Sequence, residues 1–115
     1  MTNESYRSCI EACVRCAQAC EHCASACLKE PELPMLADCI AFDHDCAQMC
    51  WTAAAFMSRG SSFAAELCRV CAEVCEACAV ECEKHEHDHC QECADACNHC
   101  ADECKRMAGA AVAHV

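Results

Sequence analysis

The sequence predicts an all-α fold, an antiparallel up-down four-helix bundle with a cysteine-lined core, and three observations predict it. Glycine and proline number two each among 115 residues, so the chain has few natural breaks. The stretches between the breaks are rich in Ala, Glu, Cys and Met and poor in β-branched residues, which favours helix. Within them cysteine recurs in alternating steps of three and four, the spacing of one helix face.

The first helix is expected over 5–29, carrying Cys9, Cys13, Cys16, Cys20, Cys23 and Cys27. Glu30-Pro31-Glu32-Leu33-Pro34 breaks it, and Pro34 suits the first turn of a following helix, where its missing N–H costs nothing. The second helix is expected over 35–58 with Cys39, Cys46 and Cys50; Asp43, Ala53 and Met57 complete its register. Gly60 then suits a helix C-terminus, and Ser61 or Ser62 the next N-cap. The third helix, 62–84, carries Cys68, Cys71, Cys75, Cys78 and Cys82. After the polar break 84–88, with Asp88 and Gln91 at capping-box spacing, the fourth runs over 88–107. It carries Cys90, Cys93, Cys97, Cys100 and Cys104, and Gly109 is expected to close it. Connections this short favour antiparallel neighbours. One domain spanning 1–115 accounts for the length.

The cysteines occupy the heptad seam that Leu and Ile normally fill. Stacked antiparallel, the four seams give six layers of four inward positions that absorb all 19 cysteines. Cys9 shares the first layer with Met57, Ala64 and Met107. Cys23, Asp43, Cys78 and Cys93 form the fifth, and Cys27, Cys39, Cys82 and Cys90 the sixth. Hydrophobic content of 56% disguises how thin an ordinary core would be, because 19 of those residues are Cys and 23 are Ala.

Composition also excludes several classes. A net charge of −11 has the wrong sign for a nucleic-acid binder. No apolar stretch approaches the roughly 20 residues of a membrane span. Met1–Arg7 shows no signal-peptide pattern, so the expected compartment is the cytoplasm, where thiols stay reduced. An odd count of 19 cannot pair fully within one chain. No nucleophile–His–acid constellation is evident, and the chain reads as a non-enzyme.

A core of small thiols alone would pack weakly, and pairs along one helix meet disulfide geometry poorly. Thiolate binding of a soft metal remains, and soft ligands select copper(I), zinc or iron–sulfur clusters. Charge separates these. Zinc at four ligands per ion would place about 4–5 ions on 19 thiolates and leave roughly nine or ten negative charges inside an apolar tube. Copper(I) at one ion per thiolate leaves the column neutral. Iron–sulfur ligands come as a few cysteines in defined loops, not as a continuous ladder. The expected cargo is therefore multiple Cu(I) ions.

These C-x-x-x-C-x-x-C ladders at Cys9–Cys27, Cys68–Cys82 and Cys90–Cys104, with the sparser Cys39, Cys46 and Cys50, resemble the bacterial copper storage protein family (Csp), cytosolic branch. The resemblance covers nearly the whole chain. It implies a four-helix bundle filled with Cu(I), usually a homotetramer, with all 19 cysteines as metal ligands. A copper chaperone or copper enzyme would be the exchange partner.

Other residues are read from this sequence alone. Asp43 on the seam is expected to ligate metal or to accept a hydrogen bond beside it. His85 and His87 lie at the column end by Cys27 and Cys82 and are candidate metal ligands at its mouth, with Met35 grouped beside them. His89 stands a quarter-turn off the seam and is a weaker candidate; His22, His44 and His99 read as surface. The opposite end gathers Tyr6, Met57 and Met107 and is the alternative mouth. Phe42, Met49 and Phe56 recur every seven residues beside the second seam, as core packing or as a subunit interface. Rival functions are a zinc or cadmium buffer and, from another class, a thiol redox sensor. The sensor would want a few exposed cysteines rather than a buried ladder.

Overall fold

A computed structural model describes residues 6–113, with side chains through Gly109. Four helices follow one another: α1 (Arg7–Cys27), α2 (Ala37–Ser58), α3 (Ala64–Glu83) and α4 (Asp88–Ala113). α1 packs on α2 and α4, and α3 packs on the same two, so α1 and α3 stand on one diagonal. This is the up-down arrangement that short connections impose.

The breaks behave as their chemistry requires. α1 tightens at its end, with Glu30 N–H donating to the Cys27 carbonyl at 3.1 Å. The chain then enters a 3₁₀ turn, Leu33–Leu36, with Pro34 in its first turn, before α2 begins at Ala37. That turn displaces the α2 start from the expected 35. Leu36 is buried there and anchors the turn. At the end of α2, Gly60 adopts φ +62°. Its N–H donates to the Met57 carbonyl at 3.0 Å, and Ser61 N–H to the Phe56 carbonyl at 3.0 Å. These two bonds form a Schellman motif, which needs the left-handed residue that glycine supplies. Neither Ser61 nor Ser62 caps α3: Ser61 Oγ accepts the Phe63 N–H at 3.1 Å within the preceding turn, the N-cap position falls to Phe63 without a side-chain cap bond, and α3 starts two residues later than expected.

Two further expectations fail. Asp88 and Gln91 do not form a capping box. The Gln91 amide donates instead to the His85 carbonyl at 2.6 Å and the Glu83 carbonyl at 3.4 Å, satisfying the free end of α3. Gly109 does not close α4, which continues to Ala113. Ala108, Ala110, Ala111 and Ala113 surround that glycine, and their propensity outweighs the roughly 1 kcal/mol cost of one Gly.

The interior is the thiol column. All 19 cysteines are buried. Beside each seam a second small residue recurs every seven positions: Ala17 and Ala24, Ala47 and Ala54, Ala72 and Ala79, Ala94 and Ala101, all buried. With a methyl group at the contact, neighbouring helices approach closely, and thiols from facing helices come within reach of one another.

Candidate metal centre

The thiols form one connected network rather than separate layers. Cys16 Sγ lies 3.7 Å from Cys46 and 3.6 Å from Cys97. Cys50 lies 3.7 Å from Cys71 and 3.6 Å from Cys75. Cys9 and Cys13 both approach Cys104, at 3.6 and 3.7 Å. These separations far exceed the ~2.0 Å of a disulfide bond. The inward direction of every seam position agrees with the sequence, but the flat layers do not survive. The helices are staggered, so each thiol meets partners from two adjacent levels.

Groups of four thiols within 4.8 Å of one another result, among them Cys16–Cys46–Cys50–Cys75, Cys16–Cys20–Cys46–Cys97 and Cys20–Cys78–Cys93–Cys97. Adjacent groups share members: Cys16 and Cys46 belong to the first two, Cys20 and Cys97 to the last two. Independent four-ligand sites would need private ligands. Shared sulfurs fit monovalent ions bridged by thiolates along the column.

Asp43 is the one seam carboxylate of α2, and it is fully buried. Its oxygens accept from Cys93 at 3.2 Å, Cys78 at 3.3 Å, Cys82 at 3.5 Å and Cys39 at 3.9 Å. Burial, with Cys93 and Cys39 beside it, pushes its carboxyl up to about 8. Asp43 thus replaces a thiol in the network and joins two of its levels.

The ends of the column differ. At one, Met57 Sδ accepts from Cys68 at 3.5 Å, and Tyr6 and Met107 are buried in the same core as Cys9. Burial, then the Cys68 and Cys9 thiols, raise the Tyr6 phenol. At the other, Cys23, Cys27, Cys39 and Cys90 form a four-thiol group. Burial pushes the Cys27 thiol up to about 11 and raises Cys90 as well, with Cys39 adding to both. The histidine that reaches this group is His89. Its Nδ1 lies 3.5 Å from Cys23, 3.6 Å from Cys90 and 3.9 Å from Cys27.

The geometry therefore distributes the histidines differently from the helical register. His85 Nε2 pairs with Glu81 at 2.9 Å. His87 places both ring nitrogens on carboxylates, Nδ1 on Glu30 at 3.1 Å and Nε2 on Glu32. Among the described residues, neither ring makes a hydrogen bond to a thiol. Met35 is 75% exposed and stands off the column. The quarter-turn offset makes His89 the weaker candidate by sequence, yet it lies in the first turn of α4, where the imidazole reaches back over the bundle end. Its adjacency to Cys90 at the first turn was the signal available. His22, His44 and His99 are exposed, as expected.

The α2 stripe is mixed: Met49 packs on the core, Phe56 is half-buried beneath the Arg59 guanidinium, and Phe42 is 37% exposed. Trp51 lies on another face and donates to Glu21 of α1 at 3.3 Å.

A helical bundle whose interior is a chain of shared, reduced thiols defines a soft-metal reservoir. Comparison with known proteins agrees. The chain belongs to the copper storage protein family, whose model matches residues 2–109. It is similar to an uncharacterized cysteine-rich protein YhjQ of Bacillus subtilis, 50% identical over 82 residues, 71% of this chain and 76% of that one. It superposes on the Cu(I)-bound copper storage protein BsCsp3, whose metal-free form is described from Bacillus subtilis, with a TM-score of 0.87 and 48% identity, covering 90% of this chain and 97% of that one. A cytosolic copper storage protein from Streptomyces lividans with five coppers gives a TM-score of 0.89 at 42% identity, covering 93% and 94%.

Proposed function

We propose that this chain stores Cu(I) in the cytoplasm, about one ion for each of its 19 cysteines. The observation that carries the reading is the sharing of thiols between adjacent groups, as at Cys16, Cys46, Cys20 and Cys97. One monovalent ion per thiolate neutralises such a network, whereas divalent ions at four private ligands each leave charge buried. All 19 cysteines are the proposed ligands. Asp43 completes the network within the column, and His89 is the proposed transfer ligand at its mouth, flanked by His85 and His87.

Four close helices wall the column, so an ion passes through an end. The imidazole end is the better mouth, because His89 Nδ1 already faces three thiols and the opposite end is sealed by buried Tyr6, Met57 and Met107. Each thiol surrenders its proton as copper arrives, so loading releases protons.

The same reading takes 1–115 as one domain without enzymatic activity, exchanging copper with a chaperone or copper enzyme. Among the described residues no helix is long and apolar enough to cross a membrane, and a similar Streptomyces protein is cytosolic. The likeness to that protein supports a cytoplasmic store. Assembly as a homotetramer draws support from half-exposed Phe42 on α2.

Anaerobic titration of the reduced protein with Cu(I) tests the core of the proposal. Saturation near 19 ions per chain is expected. A plateau at about four or five would favour tetrahedral sites and the zinc or cadmium alternative.

A further inference from the structure

We infer that Glu30, in the connection between α1 and α2, is a positioning residue for copper transfer, because it fixes which nitrogen of His89 faces the thiols. The inference rests on the reading of His89 as the ligand at the mouth.

Glu30 Oε2 lies 2.9 Å from His89 Nε2. A carboxylate only accepts hydrogen bonds, so the imidazole carries its proton on Nε2. In the neutral ring the lone pair is then on Nδ1. That is the nitrogen aimed at Cys23, Cys90 and Cys27. The opposite tautomer would turn an N–H toward the thiols and point the lone pair at a carboxylate. Histidines that bind metal commonly have their other nitrogen held in this way, which orients the ring and raises its basicity.

Glu30 is itself held. Its N–H donates to the Cys27 carbonyl at 3.1 Å, and its carbonyl accepts from Leu33 N–H at 3.2 Å. The carboxylate is therefore tied to the end of the helix that carries Cys23 and Cys27. The same Oε2 accepts from His87 Nδ1 at 3.1 Å. The His87 ring in turn stacks on His89, 5.2 Å between centroids and 4° from parallel. His89 is thus fixed on one nitrogen by Glu30, on one face by His87, and opposite the thiols on the other nitrogen. The Glu81–His85 pair at the end of α3 has a similar 2.9 Å contact but, among the described residues, no hydrogen bond to a thiol. A carboxylate–imidazole pair alone does not make a transfer ligand; the placement of the second nitrogen does.

Two measurements on the full chain test this. The first is nitrogen-15 spectroscopy of the reduced, metal-free protein, which reads the His89 tautomer. The wild type should be Nε2-protonated and Glu30→Ala a mixture. The second is the rate of Cu(I) removal by a bathocuproine chelator. Glu30→Ala should slow it roughly tenfold with capacity unchanged. Glu30→Gln, whose amide oxygen still accepts from Nε2, should restore most of the rate. In a His89→Ala background, Glu30→Ala should change nothing further. A wild-type rate and tautomer in Glu30→Ala would overturn the inference while leaving His89 at the mouth. So would equal slowing with His89 absent, because Glu30 would then act through its charge on passing ions. A wild-type rate in His89→Ala would overturn the mouth reading itself and, with it, the role of Glu30 in transfer.

Discussion

The two ends of the thiol column are built from the same ladder and finished in opposite chemistry. At the Tyr6 end the last thiols meet Met57 and Met107, and all of these side chains are buried. At the His89 end the last thiols meet an imidazole that is 13% exposed and is backed by the Glu30 carboxylate. The sealing end has two thioethers and an aromatic ring, which contribute packing and exclude water. The other has groups that hold a proton, change partners and contact solvent. A reservoir needs both, since a column open at each end would lose the dry environment that holds the thiols together. Stability and exchange are therefore expected to separate along the axis, and substitutions at the two ends test that separation.

The largest effect is expected at the sealed end, on stability. Met57 is fully buried, and truncating it to Ala leaves a cavity beside Cys68 that neighbours fill incompletely. Met57→Ala should cost the metal-free protein about 2–5 kcal/mol, the range for buried large-to-small changes. His89→Ala should cost about 1 kcal/mol or less, in line with one hydrogen bond at a partly exposed site. Urea denaturation of the reduced protein, followed by helical circular dichroism, makes the comparison. Equal losses at both ends would mean that the ends do not differ in the way argued.

Exchange should respond in the opposite sense. His89→Ala is expected to slow copper loading and removal by roughly 10–100-fold, with the plateau of bound copper intact. Met57→Leu with Met107→Leu preserves apolar volume and should leave the rates unchanged. Stopped-flow transfer to a chelator reads both. Slow transfer in the methionine variant with normal transfer in the histidine variant would place the mouth at the Tyr6 end.

A third expectation concerns Asp43, which stands nearer the His89 end. Its carboxyl is raised from 3.8 to about 8 in the folded protein, chiefly by burial. The folded state therefore holds this proton more tightly than the unfolded chain. The stability it contributes is intact below about pH 4 and is lost progressively as the pH rises through about 8. In the reduced, metal-free protein, Asp43→Asn should remove that part of the decline, so the wild-type and variant midpoints diverge between pH 5 and 8. Parallel curves would show that Asp43 is ionised in both states.

Most of the fold was legible because one periodic signal carried it. Steps of three and four, with Asp43 filling the seven-residue step from Cys39 to Cys46, placed all 19 cysteines inward, and Pro34 and Gly60 marked the breaks correctly. The Asp43 position followed from the same register. What escaped depends on how elements meet. The stagger of the helices turned flat layers into a continuous network, and no single-helix pattern contains a stagger. The alanines that repeat beside each seam were visible as sequence, but their role appears only when two helices touch. Gly109 misled because a lone glycine among alanines resembles a stop. His89 escaped because its reach depends on the bundle end rather than on the face of α4.

The smallest effect is expected from His85 and His87, and it sharpens the contrast between ends into one within the mouth. Both rings share the polar end with His89, so a simple attraction of copper to imidazole would make the three equivalent. Their contacts say otherwise. His85 is turned to Glu81, and His87 presents both nitrogens to Glu30 and Glu32. His89 Nδ1 faces the Cys23, Cys27 and Cys90 thiols, so on the proposed route copper leaving them would meet it first. His85→Ala with His87→Ala should therefore slow transfer less than His89→Ala alone. The part attributable to His87 should arise indirectly, through loss of the ring that stacks on His89. In a His89→Ala background that part should vanish. If the double variant instead slows transfer as much as His89→Ala, with His89 still present, the mouth is a cluster of interchangeable imidazoles and the geometry of one nitrogen does not govern it.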